Sequence, residues 1–384
     1  MARNDGILAS GGDASGLLQA GFTQHAFYAL AAQYPDGSFA SEVWSYIYSS
    51  AKSVTPLLKQ NYTVVASKYP LDRLSNGRAL IDLSQKHLVE DDADVAADLG
   101  LAYEDLLESV DENKRNAEGG LWYYTYPEWS YLDGMYSYAP FVVNNSVWIE
   151  KAAQENGLSG PFRQNVLDAV KETYHQLDLL WQHTHQDSNG LLAHGYDDSR
   201  KASWADSKTG SSPHVWGRSL GWYAMALVDT LEIIPDYETH YRGLICEKWN
   251  TLAKSITKAV DSKTGGWWQV LDKPGQKGNY IESSGTAMFS YALLKGLRLG
   301  HFSSDPQLSS DAKAAGIRAQ KYLTEKFVVE EKDGYLGYDG TVSVCSLNSS
   351  ATYDYYIGQP IKYNSVLGSA AYVLASLEAE RLGA

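Results

Sequence analysis

The chain has 384 residues, 44% of them hydrophobic, and a formal net charge of −14. Length and hydrophobic content allow a large core, while the acidic balance excludes a nucleic-acid surface, which would need basic clusters. General attraction of a polyanion is excluded too, so an acidic substrate has to be recognised by a few local cations.

Helical spacing of apolar residues predicts a first helix over Gly16 to Ala32, closed by the turn Pro35-Asp36-Gly37. A second is expected over Ser41 to Leu58, with Pro56 as a candidate boundary. Asp72 to Ala79 reads as loop. An apolar stretch follows, then the acidic cluster Glu90-Asp91-Asp92-Ala93-Asp94, which leads into an amphipathic helix over Val95 to Val110. Further helices are expected over Asn165–His183, Tyr241–Ala259, Ser284–Leu299, Asp311–Phe327 and Ser365–Leu382. Strand-type alternation is scarce. Cys246 and Cys345 have no metal-type spacing, and no apolar run reaches membrane-spanning length. The N-terminus lacks the profile of a secretory leader, so Met1 is either native or replaces a removed one, and compartment stays open.

An internal repeat organises these helices. Gly119-Gly120-Leu121-Trp122 recurs in kind as Asn189-Gly190-Leu191-Leu192, Gly265-Gly266-Trp267-Trp268 and Asp333-Gly334-Tyr335-Leu336, about 70 residues apart. Each turn follows a helix and opens a short extended stretch before the next one. The unit is an α-hairpin, and about six of them fit the chain. Six such hairpins close into a double ring, with inner helices apolar and small-residue-rich all round, as in Ser284 to Ala292, and amphipathic outer helices, as in Lys248 to Val260. An open solenoid is the competing layout; the aromatic glycine turns favour closure. The expectation is an all-α fold in one domain over 1–384, with the glycine turns and the function on one rim.

Two stretches carry candidate chemistry. His214-Val215-Trp216-Gly217-Arg218-Ser219-Leu220-Gly221-Trp222-Tyr223 passes from loop into helix. Arg218 and Trp222 are four residues apart and share a helix face. A guanidinium beside an indole suits an anionic sugar ring: the cation takes a carboxylate, the aromatic face takes the apolar side of the ring. The 28 tyrosines and 11 tryptophans fit such a cleft, although they also build helical cores. The second stretch sets Asp133 among Trp129, Tyr131, Met135 and Tyr136. A carboxyl there is poorly solvated and holds its proton more tightly, as a general acid near neutral pH requires. The alternative role for Asp133 is an ordinary helix N-cap.

Tyr131-Leu132-Asp133-Gly134-Met135-Tyr136, with Ala139-Pro140-Phe141, resembles the catalytic segment of unsaturated glucuronyl and rhamnogalacturonyl hydrolases. Trp216 to Asp229 and Glu282-Ser283-Ser284-Gly285-Thr286-Ala287-Met288-Phe289 resemble two further segments of the same enzymes, in the same order. The likeness is to glycoside hydrolase family 105 and runs from about the acidic cluster to the C-terminus. It implies an (α/α)6 barrel. It also implies an oligosaccharide substrate whose non-reducing end is a 4,5-unsaturated uronic acid. Such enzymes hydrate the C4=C5 double bond: an acid protonates C4, water adds at C5, and the hemiketal collapses to release the sugar at C1. On this resemblance Asp133 is the general acid/base, His194 lies at the substrate site, and Arg218 and Trp222 contact the unsaturated sugar, with Trp216 beside them. Arg218 either binds the uronate carboxylate or holds the pocket's polar network. A second family aspartate falls on Asp91, Asp92 or Asp94, with Asp92 preferred; the competing role for that cluster is a helix N-terminus made acidic to suit the dipole. Tyr131 and Tyr123 depart from the tryptophan and histidine often found there, which puts a rhamnose-linked substrate in doubt and leaves aglycone and linkage open. No metal or organic cofactor, no nucleic-acid partner and no membrane are expected. Competing functions are an inverting glycosidase with two carboxylates, a lyase using a Tyr/His pair that includes His194, and a non-catalytic uronide-binding protein.

Overall fold

The computed structural model describes residues 1–8, 15–85, 93–125, 127–332 and 334–384. Thirteen α-helices are described: α1 Gly16–Gln33, α2 Ala40–Leu58, α3 Tyr62–Lys68, α4 Gly77–Gln85, α5 Ala93–Glu108, α6 Gly134–Glu155, α7 Phe162–Thr184, α8 Gly217–Ile233, α9 His240–Lys258, α10 Ser283–Arg298, α11 Pro306–Phe327, α12 Tyr353–Ile357 and α13 Val366–Arg381. A 3-10 turn, Leu71–Asn76, leads into α4. Among the described residues, no helix is long and apolar enough to cross a membrane.

Burial sorts the helices into two layers. In α8 every residue from Gly217 to Leu231 is buried, and in α10 every residue from Ser283 to Gly296. Helices buried on all sides belong inside a ring. By contrast α9 buries only the stripe Ile245, Trp249, Leu252, Ala253 and Ile256, and α11 the stripe Leu308, Ala312, Ala315, Gly316, Ala319, Leu323 and Phe327. The inner helices contact one another in the order α1, the 3-10 turn with α4, α6, α8, α10, α13, and α13 returns to α1. Helices α2, α5, α7, α9 and α11 lie outside them. This is an (α/α)6 barrel, closed rather than an open solenoid. Small residues permit the close inner packing: a Cβ on Gly221 of α8 would lie 2.9 Å from Met288 of α10.

Each inner helix except the last, α13, is followed by an outer one running back, so the inner N-termini meet at one rim. The predicted glycine turns lie at that rim, in the connections from α5 to α6, α7 to α8, α9 to α10 and α11 to α12. Gly119, Gly190, Gly265 and Gly334 have φ between +71° and +85°, the left-handed region that other residues avoid. Beyond them run short strands: β1 Ser130–Tyr131, β2 His185–Gln186, β3 Leu191–Leu192, β4 Gly195–Tyr196, β5 Val328–Glu330 and β6 Leu336–Tyr338. They pair antiparallel as β1–β4, β2–β3 and β5–β6. A second apolar cluster, including Tyr131, Trp204, Trp216, Val342, Leu347 and Tyr356, caps this rim above the main core.

Three sequence expectations need correction. Asp72 to Ala79 is not a loop; it is the 3-10 turn and the start of α4. Leu71 and Leu74 are buried there, and the Asn76 amide donates to Leu17 O at 2.9 Å. The turn-like Ser-Asn-Gly sequence is overridden by that tertiary anchoring. Helix α11 begins at Pro306, five residues ahead of Asp311, because Asp305 caps it through Leu308 N at 3.0 Å. Pro56 does not end α2, which continues to Leu58.

Candidate active site

A cleft of about 1180 Å³ opens at the rim. The first turns of α1, α6, α8, α13 and the 3-10 element all put residues on its wall, among them Leu17, Asp72, Asp133, Arg218, Trp222 and Leu367. Helix N-termini carry partial positive charge, so their convergence favours an anionic ligand. Arg218, Lys68 and Lys362 supply the cations lining the cleft.

Asp133 occupies the N-cap position of α6 but makes no capping hydrogen bond. Its side chain turns to the cleft instead. Ser219 Oγ donates a short hydrogen bond to Asp133 Oδ2. His194 Nε2 lies 3.4 Å from the same oxygen. Strand pairing produces this meeting: Tyr131 is opposite Gly195 in the β1–β4 ladder, and Leu132 N donates to His194 O at 3.1 Å. Residues 61 positions apart are thereby fixed side by side.

The second carboxylate in the cleft is Asp72, which sequence reasoning missed. It is buried, and Tyr123 OH donates to its Oδ2 at 2.6 Å. Oδ1 has no hydrogen-bond partner among the described residues. Burial pushes the Asp72 carboxyl up to about 7; the Tyr123 hydrogen bond opposes this, the Asp133 charge adds to it, and Arg73 opposes it. Of the acidic-cluster candidates, Asp91 and Asp92 lie outside the described residues, and Asp94 is exposed in the first turn of α5. A hint of Asp72 existed in Leu71-Asp72-Arg73-Leu74, where an acid and a base interleave with leucines three apart.

Aromatic residues form the walls. Tyr123 and Tyr131 stack with centroids 4.5 Å apart and planes at 6°. Trp222 is buried between Phe22, at 4.7 Å, and Tyr136, at 4.5 Å, and reaches the cleft floor. Trp216 packs against His194 at 4.9 Å, and its Nε1 donates to Gln269 Oε1 at 3.1 Å. Arg218 lines the cleft and is also tied into a polar network. Its guanidinium donates to Val342 O at 2.6 Å, Ser343 O at 2.8 Å and Ser284 Oγ at 3.3 Å. Glu282 lies 3.9 Å away, and the cation sits 4.7 Å over the Trp216 ring. Arg218 thus pins the 342–348 segment as one wall, while still facing the cleft. Asp133, His194, Arg218, Trp222, Trp216, Tyr131 and Tyr123 converge; Ser219, Asp72 and Tyr356 join them.

An acidic helical barrel with two carboxylates in an aromatic, cation-bearing cleft suits a carbohydrate-hydrolysing class of protein. Residues 19–383 match the model of Glycosyl Hydrolase Family 88, and the chain belongs to that family. It is similar to a family 105 glycoside hydrolase from C. acetobutylicum ATCC 824, with 29% identity, a TM-score of 0.76, and coverage of 94% of this chain and 92% of that one. It shares its fold with the unsaturated glucuronyl hydrolase of Bacillus sp. GL1, at 14% identity and a TM-score of 0.61, over 98% of this chain and 88% of that one. Protein Atu3128 of Agrobacterium fabrum is 37% identical over 198 residues, which is 50% of this chain and 83% of that protein. The family 105 likeness read from the motifs therefore stands.

Proposed function

We propose that this glycoside hydrolase removes a terminal 4,5-unsaturated uronic acid from lyase-generated oligosaccharides by hydrating the C4=C5 bond. The observation that carries the reading is Asp133: an N-cap residue that forgoes capping, faces the cleft, and is held by Ser219 beside His194. Asp133 delivers a proton to C4, and positive charge develops at C5 and the ring oxygen. Water adds its oxygen to C5 and returns a proton to Asp133. The hemiketal opens, and the C1 oxygen leaves with the aglycone. Asp72, buried in the same cleft with an oxygen that makes no hydrogen bond among the described residues, stabilises the cationic centre when ionised. Lys68, Lys362, Arg218 and the converging helix N-termini favour the uronate carboxylate, and Trp222 and Trp216 face the ring. No step requires a metal or organic cofactor.

The test follows the ultraviolet absorbance of unsaturated disaccharides, α- and β-linked, with wild-type protein and Asp133→Asn. Decay with the wild type alone supports the reading; persistence with both, for all linkages, overturns it. A second reading, inversion on saturated uronides, is favoured by the Asp72–Asp133 pair itself. It predicts release from a saturated glycoside. A rise in absorbance on intact polyuronide would identify a lyase, and binding unaffected by Asp133→Asn without turnover would identify a carbohydrate-binding protein.

A further inference from the structure

We propose that Tyr356 is a positioning residue: its hydroxyl donates to His194 Nδ1 and so fixes the imidazole proton on Nε2, aimed at Asp133. The inference rests on the proposed role of Asp133, but part of its test does not.

Tyr356 lies 162 residues from His194, on α12 between the 342–348 wall and α13. It is fully buried. Its hydroxyl meets His194 Nδ1 at 2.8 Å. Its main chain is held at both ends: Tyr356 N donates to Thr352 O at 3.2 Å, and Tyr356 O accepts from Gln269 Nε2 at 3.1 Å. Gln269 also accepts from Trp216, so one amide ties together two of the aromatic rings around His194. Burial pushes the Tyr356 hydroxyl well above the ordinary tyrosine range, so it keeps its proton, and among the described residues His194 Nδ1 is the acceptor that this O–H meets.

The logic at the imidazole is then one of complementarity. His194 is fully buried and packed by Tyr131 at 5.2 Å and Trp216 at 4.9 Å. A neutral ring has one donor and one acceptor nitrogen. With Nδ1 accepting from Tyr356, Nε2 carries the hydrogen and faces Asp133 Oδ2. In the opposite tautomer, the Nε2 lone pair would face a carboxylate oxygen. At 3.4 Å, Nε2 makes no hydrogen bond and has no other partner among the described residues. Catalytic hydrogen bonds in unliganded enzymes are often long and close in the working complex. Once Asp133 has given its proton to C4, its carboxylate accepts from Ser219 Oγ and from His194 Nε2. His194 donates this hydrogen bond without taking up a proton from the substrate, and the proton returns to Asp133 from water.

Two measurements test this. In protein labelled with 15N-histidine, long-range proton–nitrogen NMR reads the His194 tautomer, assigned by loss of its signals in His194→Gln. The neutral Nε2–H form is expected in the wild type, with a shift towards the other tautomer in Tyr356→Phe, which keeps the ring. A wild-type Nδ1–H form overturns the inference whatever the substrate. The second measurement is a double-mutant cycle on an unsaturated disaccharide. Tyr356→Phe is expected to lower kcat about tenfold with KM nearly unchanged, and to have no further effect in His194→Gln. Equal losses in both backgrounds would mean a merely structural role and overturn the proposal. If the wild type leaves the double bond intact, the functional reading fails while the NMR result still decides the tautomer.

Discussion

Asp72→Asn offers a test that needs no substrate. The Asp72 carboxyl is 3% exposed and titrates near 7 in the folded protein against an ordinary value of 3.8. Its folded pKa lies above its unfolded one, so between these values the folded protein holds a proton that the unfolded chain releases. Stability therefore falls as pH rises from about 4 to about 7, then levels off. Three pKa units at about 1.4 kcal/mol each place the ceiling of this loss at about 4 kcal/mol. Asparagine keeps a carbonyl to accept from Tyr123 but cannot ionise. The variant is expected to match the wild type near pH 4 and to exceed its stability progressively up to about pH 8. Urea unfolding followed by tryptophan fluorescence at a series of pH values measures the difference. Parallel pH profiles for the two proteins would refute the claim that a carboxyl is buried against its ionisation here. Turnover is expected to fall in the same variant, the usual exchange of activity for stability at a strained site.

Ser219→Ala removes the donor to Asp133 Oδ2; loss of one charge-assisted bond predicts a drop in kcat of about ten- to a hundredfold, read in the absorbance assay. Lys295→Met strands Asp229, which Lys295 Nζ and Tyr291 OH hold at 2.6 Å in the barrel interior. It is expected to cost about 3–5 kcal/mol in denaturant unfolding. Gly265→Ala forces a φ of +85° on alanine and brings Cβ to 2.7 Å from Arg318 Cγ. A loss of about 1–2 kcal/mol is expected, again from unfolding curves, while Gly243→Ala, in open space on α9, should stabilise slightly.

The ring was legible because its two signals are local. Helical periodicity marks α1, α5, α7, α9 and α13 within a few residues, and the glycine turns repeat because each return needs a left-handed residue. The site was legible where it lies within one motif, as Asp133 does, or Arg218 with Trp222. Asp72 was not, for its partner Tyr123 is 51 residues away and its helix is specified by contacts with α1 and α6 rather than by propensity. Tyr356 was hidden for the same reason. The hydrogen-bond partners of Arg218 were hidden in sequence, because they are backbone carbonyls at Val342 and Ser343, which no side-chain pattern announces.

The seam between α13 and α1 has a consequence for biosynthesis. The ring closes with α13, and the wall carrying Ser343 and Ser346, followed by α12 with Tyr356, precedes that helix. A nascent chain that has already made α8 and α10 displays helices meant for burial on every side, with no partner for the open flank. Such a chain is inert and sticky until α13 docks. Premature termination near the C-terminus should therefore yield insoluble protein rather than a weakened enzyme.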